Sequence, residues 1–171
     1  MNTFTLITLL LLPVSLFAHE KHEHREHGAH QHGSAEVSLA FDGAQGKFEF
    51  KSPSDSVVGF EHTAKSAKDI KARDEAFKKF ESQIADMVTF EKSLNCQFKK
   101  EKLEMLAESA KHSDVQANFT ISCSKSPEGS KVTFNFQKHF PNLKDVDVQI
   151  LTEKIQKSVE AKSSGTVLEL K

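Results

Sequence analysis

The sequence predicts an α+β domain: an antiparallel or mixed sheet of repeated β-hairpins, one packed helix and one disulfide. Three observations carry this. Several segments alternate apolar and polar residues with a period of two, the mark of half-buried strands. Only one stretch repeats its apolar residues at helical spacing. The cysteines are an even pair, Cys96 and Cys123, behind an apolar leader. The chain has 171 residues, room for one domain of ordinary size. It holds 14 Phe and neither Trp nor Tyr, so the core must be built from Phe and aliphatic side chains.

The elements follow in order. Residues 1–18 carry no charged side chain and are almost entirely apolar from Phe4 onward. That run is short for a membrane span and suits a signal-peptide core, with Pro13 ending it and cleavage expected after Ala18. No Cys follows the run, which argues against a lipid-anchored precursor. The mature chain is therefore expected to be periplasmic and not inserted in the membrane. Residues 19–33 are polar, contain Gly28 and Gly33 and show no apolar period, so they are expected to lack order without metal. The folded domain is expected over 34–171. Ala35, Val37, Leu39 and Phe41 alternate with polar partners, Asp42 to Gly46 reads as a turn, and Phe48 and Phe50 alternate next. These form a hairpin ending at Ser52-Pro53-Ser54. A short apolar patch, Val57 to Phe60, precedes a helix expected from Ser66 to about Ile84, with Ile70, Phe77, Phe80 and Ile84 on one face. Met87, Val88, Phe90 and Leu94 lead into Cys96. Strands are then expected over Cys96–Leu106, Val115–Cys123, Val132–Phe136 and Val146–Ile150. Two short ones follow, near Ile155–Ala161 and Thr166–Leu170. A weak internal repeat lays His32 and the strand after it over His112 and the strand after it. It puts both histidines at equivalent strand starts.

Composition limits the partners. Lys and Arg number 23 against 24 Asp and Glu, leaving no charge excess for a nucleic acid or an anionic membrane. The outlying count is nine His. Six of them, His19, His22, His24, His27, His30 and His32, are spaced two or three residues apart. Neutral imidazole is the commonest metal ligand and suits zinc, copper and nickel. Glu20, Glu23 and Glu26 add oxygen ligands, and the glycines let the chain turn around an ion. Ordering such a segment costs about 1–2 kcal/mol per residue, so binding should be loose, in several modes and quickly exchanged. That suits capture and hand-off. His62, His112 and His139 lie in the folded part and are candidates for a second metal site, with Glu61 beside His62 as a possible carboxylate ligand. The two cysteines are expected to pair, since neither stands in the C-x-x-C spacing of a metal site. No catalytic triad pattern, phosphate-binding loop, H-E-x-x-H or dinucleotide motif is present, and no enzyme is expected. Cleavage after Ala18 would leave His19 as the first residue, the arrangement copper oxygenases use, but nothing in the following segment would hold it rigid.

The pieces His27-Gly28-Ala29-His30-Gln31-His32-Gly33-Ser34-Ala35-Glu36-Val37, Ser52-Pro53, Val58-Gly59-Phe60-Glu61-His62, the two single cysteines, Phe140-Pro141-Asn142-Leu143 and Val148 to Thr152 together resemble the ZrgA family of zinc-regulated periplasmic proteins. The resemblance spans essentially the whole mature chain. It implies a zinc-binding protein that assists uptake beside a zinc ABC transporter or its binding protein. One feature departs from the family pattern. Ser109 to Asp114 holds a single His where members often carry a second, long His-rich insertion, which implies fewer bound ions. The other readings are a copper or nickel buffer or resistance protein, and a secreted interaction domain with an incidental His tail.

Overall fold

The computed structural model describes residues 32–109 and 111–171. The expected signal peptide and five of the six clustered histidines (His19, His22, His24, His27 and His30) lie outside the described residues. The expected α+β class is the one observed, with nine strands and a single long helix among the described residues.

Alternation builds the main sheet. Strand β1 (Ser34–Asp42) and strand β2 (Gln45–Pro53) bury every second residue, Ala35, Val37, Leu39 and Phe41 from one and Phe48 and Phe50 from the other. Gly43 turns the chain between them with φ 56°, and they pair antiparallel from Glu36↔Lys51 to Asp42↔Gln45. Gly46 is required by a close approach, because a Cβ there would stand 2.6 Å from the Phe41 ring. Strand β4 (Gln97–Ala107) and strand β5 (Ser113–Ser122) form a second antiparallel pair, and β5 lies against the free side of β2. Strand β7 (Asp145–Leu151) pairs with β1 in parallel, and strand β8 (Gln156–Ala161) closes that side. The sheet order is β4-β5-β2-β1-β7-β8.

A smaller antiparallel sheet holds strand β3 (Val88–Phe90), strand β6 (Lys131–Phe134) and strand β9 (Thr166–Glu169), with β6 in the middle. This departs from simple repeated hairpins. The strand after the Ser126–Gly129 turn does not return along β5 but crosses to the second layer. It also stops earlier than alternation suggests, because Phe136 starts a helical turn, α3 (Phe136–His139). Phe134 and Phe136 are both fully buried, so the sequence period continues through a change of backbone.

The apolar patch after β2 is a single helical turn, α1 (Asp55–Val58), closed by Gly59 in the left-handed region at φ 87°. The long helix α2 (Ala67–Met87) starts at Ser66, whose hydroxyl accepts from Asp69 N, and buries Ala76, Phe80, Ile84 and Met87 at spacings of four, four and three. Phe80 is fully buried. Its ring centroid lies 4.9 Å from Phe50, 5.6 Å from Phe140, 6.1 Å from Phe119 and 6.4 Å from Phe48. It pins the helix to the centre of the main sheet. Cys96 and Cys123 are joined, with 4.0 Å between their Cα atoms, at the end of the β4–β5 ladder where Gln97 faces Ser122. This is the pairing expected from their number and setting.

Candidate metal centre

The sheet order explains how residues far apart in sequence meet. Strand β2 lies between β1 and β5 and runs antiparallel to both. The starts of β1 and β5 therefore flank the end of β2. His32 stands just before β1, His112 just before β5, and the chain leaving β2 enters α1 with Asp55 and then reaches Glu61. Two imidazoles and two carboxylates converge at one end of the sheet.

Their contacts are short. His32 Nδ1 is 2.5 Å from Asp55 Oδ2 and 3.5 Å from Glu61 Oε1. His112 Nδ1 is 2.5 Å from Glu61 Oε2, so the Glu61 carboxylate bridges the two rings. Ligand atoms of His32, Asp55 and Glu61 all lie within 4.8 Å of one another. Glu61 is the most enclosed of the four side chains, at 11% exposure against 30% for Asp55, 44% for His112 and 61% for His32. Its Oε1 is buried and accepts no hydrogen bond, an arrangement that costs free energy unless a cation faces it. Asp55, by hydrogen bond and by charge, and Glu61, by charge, raise the pKa of His32 above its usual 6.5.

Local structure holds each residue in place. Gly33 has φ 83°, and a Cβ there would press on Asn142 O and Lys144 Cγ, both at 3.2 Å. Its carbonyl accepts from Lys144 N at 2.6 Å and Asp145 N at 3.1 Å, which anchors the residue after His32. The turn before β5 is tied by Glu108 N and Ser109 N donating to His112 O, at 2.9 and 3.0 Å. Ser109 Oγ accepts from His112 N at 3.1 Å.

The donor set fits a zinc-sized ion. Four ligands at about 2.0–2.1 Å in a tetrahedron stand roughly 3.4 Å apart. The spacings among His32, Asp55 and Glu61 bracket that value, so these three supply one nitrogen and two oxygens to an ion, and His112, held on the other Glu61 oxygen, stands next to them as the candidate fourth ligand. The disulfide removes both thiols from any ligand set.

The other folded histidines go elsewhere. His62 Nε2 lies 3.2 Å from Asp69 Oδ2, and its ring stacks on Phe60 at 4.8 Å. His139 Nε2 lies 2.6 Å from Asp86 Oδ2, the oxygen that also holds Lys138 Nζ at 2.7 Å. Asp69 and Asp86 are near opposite ends of α2, roughly 25 Å apart at 1.5 Å rise per residue. His62, His112 and His139 therefore do not share one site. His112 instead shares the Glu61 carboxylate with His32, and the two histidines stand just before β1 and β5. Glu61 and His62 are neighbours outside any strand or helix and turn to different partners. Asp55 carried no signal of its own. A carboxylate in a helical turn directly after a strand, close in sequence to Glu61, was the only available hint.

A family model described as "ZrgA family zinc uptake protein" matches residues 29–170. The matched span contains all four clustered residues and both cysteines. No curated protein matches the chain.

Proposed function

The chain belongs to the ZrgA family of zinc uptake proteins, and from that premise we propose that it captures zinc in the periplasm and hands it on to a zinc transporter or that transporter's binding protein. The observation that carries the reading is the His32–Asp55–Glu61–His112 cluster around the buried Glu61 oxygen. In this reading His19, His22, His24, His27 and His30 gather ions loosely. The segment joins the fold at His32, which belongs to the cluster as well as to the His-rich run. An ion caught on the segment needs only short transfers between imidazoles to reach a better-held position. Two neutral imidazoles and two carboxylates give a borderline-hard set that suits Zn²⁺ and lacks the soft sulfur that Cu(I) prefers. The open His32 and His112 edges leave a way out to a partner. The apolar leader and the disulfide both support an oxidising, exported setting.

Calorimetry with zinc on the chain beginning at His19 tests this, with copper and nickel titrated in parallel. Replacing His19, His22, His24, His27 and His30 by Ala should remove loosely held ions and leave one tight one. Glu61→Gln combined with His112→Ala should do the reverse. A double variant that keeps the tight ion would remove the cluster from the site. A five-Ala variant with undiminished capacity would remove the segment. Tighter binding of copper or nickel by the cluster in competition with zinc would favour the buffer reading.

A further inference from the structure

Three buried hydroxyls stand directly behind the cluster. Ser54 is fully buried, and Ser56 and Ser113 are each 2% exposed. Ser56 Oγ accepts from Gly33 N at 3.0 Å and donates to Asp55 Oδ1 at 3.2 Å. One hydroxyl thus ties the backbone next to His32 to the side chain of Asp55. It holds the far oxygen of that carboxylate, so that Oδ2 is the atom turned toward His32. Ser113 follows His112 directly, and its Oγ donates to Glu61 O at 2.5 Å. Ser54 Oγ donates to Phe60 O at 2.8 Å, and the two hydroxyls lie 2.6 Å apart. Ser54 N also donates to Ser113 O at 2.9 Å. The carbonyls of Phe60 and Glu61, on the two sides of the Glu61 Cα, are therefore held by serines from the residue after β2 and from β5. Glu61 sits outside any regular element, so no helix or strand ladder places it.

We infer that Ser56 and Ser113, with Ser54 between the β2 end and β5, are positioning residues for the zinc ligands: Ser56 orients Asp55, and the Ser54–Ser113 pair places Glu61. This rests on the reading of the cluster as a zinc site. The physical reason is that a metal-bound carboxylate binds well only when its own orientation is already decided. Groups just outside the ligands typically account for about 10–100-fold in metal affinity. His32 is exposed and Glu61 lies outside any strand or helix, so no backbone ladder orders either side chain. The cost of ordering them at the moment of binding is reduced by hydroxyls that order them beforehand.

The test uses the chain beginning at His19 with Zn²⁺ and Co²⁺ as probes. Wild type, Glu61→Gln, Ser56→Ala and Ser113→Ala are compared by calorimetry, by the visible spectrum of bound Co²⁺ and by thermal melting of the metal-free protein. The expected result is that Glu61→Gln loses the tight ion. Each Ser→Ala variant should keep its stoichiometry but bind about tenfold more weakly, with an altered Co²⁺ spectrum. A merely structural serine would lower the metal-free melting temperature and leave the Co²⁺ spectrum unchanged. Ser→Ala variants with wild-type affinity and spectrum, beside a Glu61→Gln that has lost its ion, would overturn the inference while keeping the site. A Glu61→Gln that binds like wild type would overturn the site itself. Should Ser113→Ala fail to fold, Ser56→Ala decides alone, since it touches one backbone amide and one ligand.

Discussion

Replacing both cysteines with serine should separate stability from zinc binding. The bond closes a loop with a sequence separation of 27 and sits at the Gln97↔Ser122 end of the β4–β5 ladder. A cross-link over such a loop removes chain entropy from the unfolded state worth about 3.5 kcal/mol at 25 °C. A domain of this size shifts by roughly 2–4 °C per kcal/mol, so the variant should melt about 7–14 °C lower. Total stabilities are typically about 5–15 kcal/mol, which leaves a folded but weakened protein. The His32–Asp55–Glu61–His112 cluster lies at the other end of the same ladder, beside Ala107↔Ser113. Nine residues of strand at about 3.3 Å each put roughly 30 Å between the two. Sites so far apart contribute additively, so zinc affinity at the cluster should change by no more than about twofold. Calorimetric melting of the metal-free protein reads the first quantity, and zinc titration at a temperature where both proteins are folded reads the second. A stability loss under about 1 kcal/mol would refute the loop-closure reasoning. A large fall in zinc affinity would refute the separation, and would mean that the β4 edge holds the His112 turn through its whole length.

Two further predictions concern the site and the core. The pKa of His32 is raised, first by the hydrogen bond with Asp55 and then by the charges of Asp55 and Glu61. In the metal-free protein this pairing contributes stability that is fully present below about pH 6.5, the unfolded value, and is lost as pH rises through the raised folded value. Zinc has the opposite sign, because it needs the imidazole without its proton. The gain in melting temperature on adding zinc should therefore shrink markedly from pH 7.5 to pH 5.5, and an equal gain at both would count against His32 as a ligand. In the core, Phe80→Ala removes a fully buried ring that meets four other phenylalanines and should cost about 3–5 kcal/mol in urea unfolding. A loss under about 1.5 kcal/mol would mean that α2 is not pinned to the sheet by that residue.

Much of the fold was legible because burial imposes a period that side chains must obey. Ala35 to Phe41, Phe48 and Phe50, and Val115 to Ile121 declared their strands and the face each buries. Phe80 and Ile84 declared the helix. Two lone cysteines, neither in a C-x-x-C spacing, declared the bond. The positions of His32 and His112 at matching strand starts were readable too, since a repeat is a local pattern. What period cannot carry is partnership. Nothing in Val146, Val148 and Ile150 says that β7 runs parallel to β1, or that β6 leaves for a second sheet, because an alternating strand satisfies its backbone equally well beside many others. The site depended on that choice. With β2 between β1 and β5, the two histidines flank the segment that carries Asp55 and Glu61. In another strand order the same residues would lie apart. Whether Glu61 or His62 turns to the cluster, and that His139 pairs with Asp86 near the far end of α2, were likewise decided by long-range packing. Sequence spacing determined which residues could bind a metal. Only the order of strands determined which of them meet, because ligand geometry is a property of positions in space and not of distance along the chain.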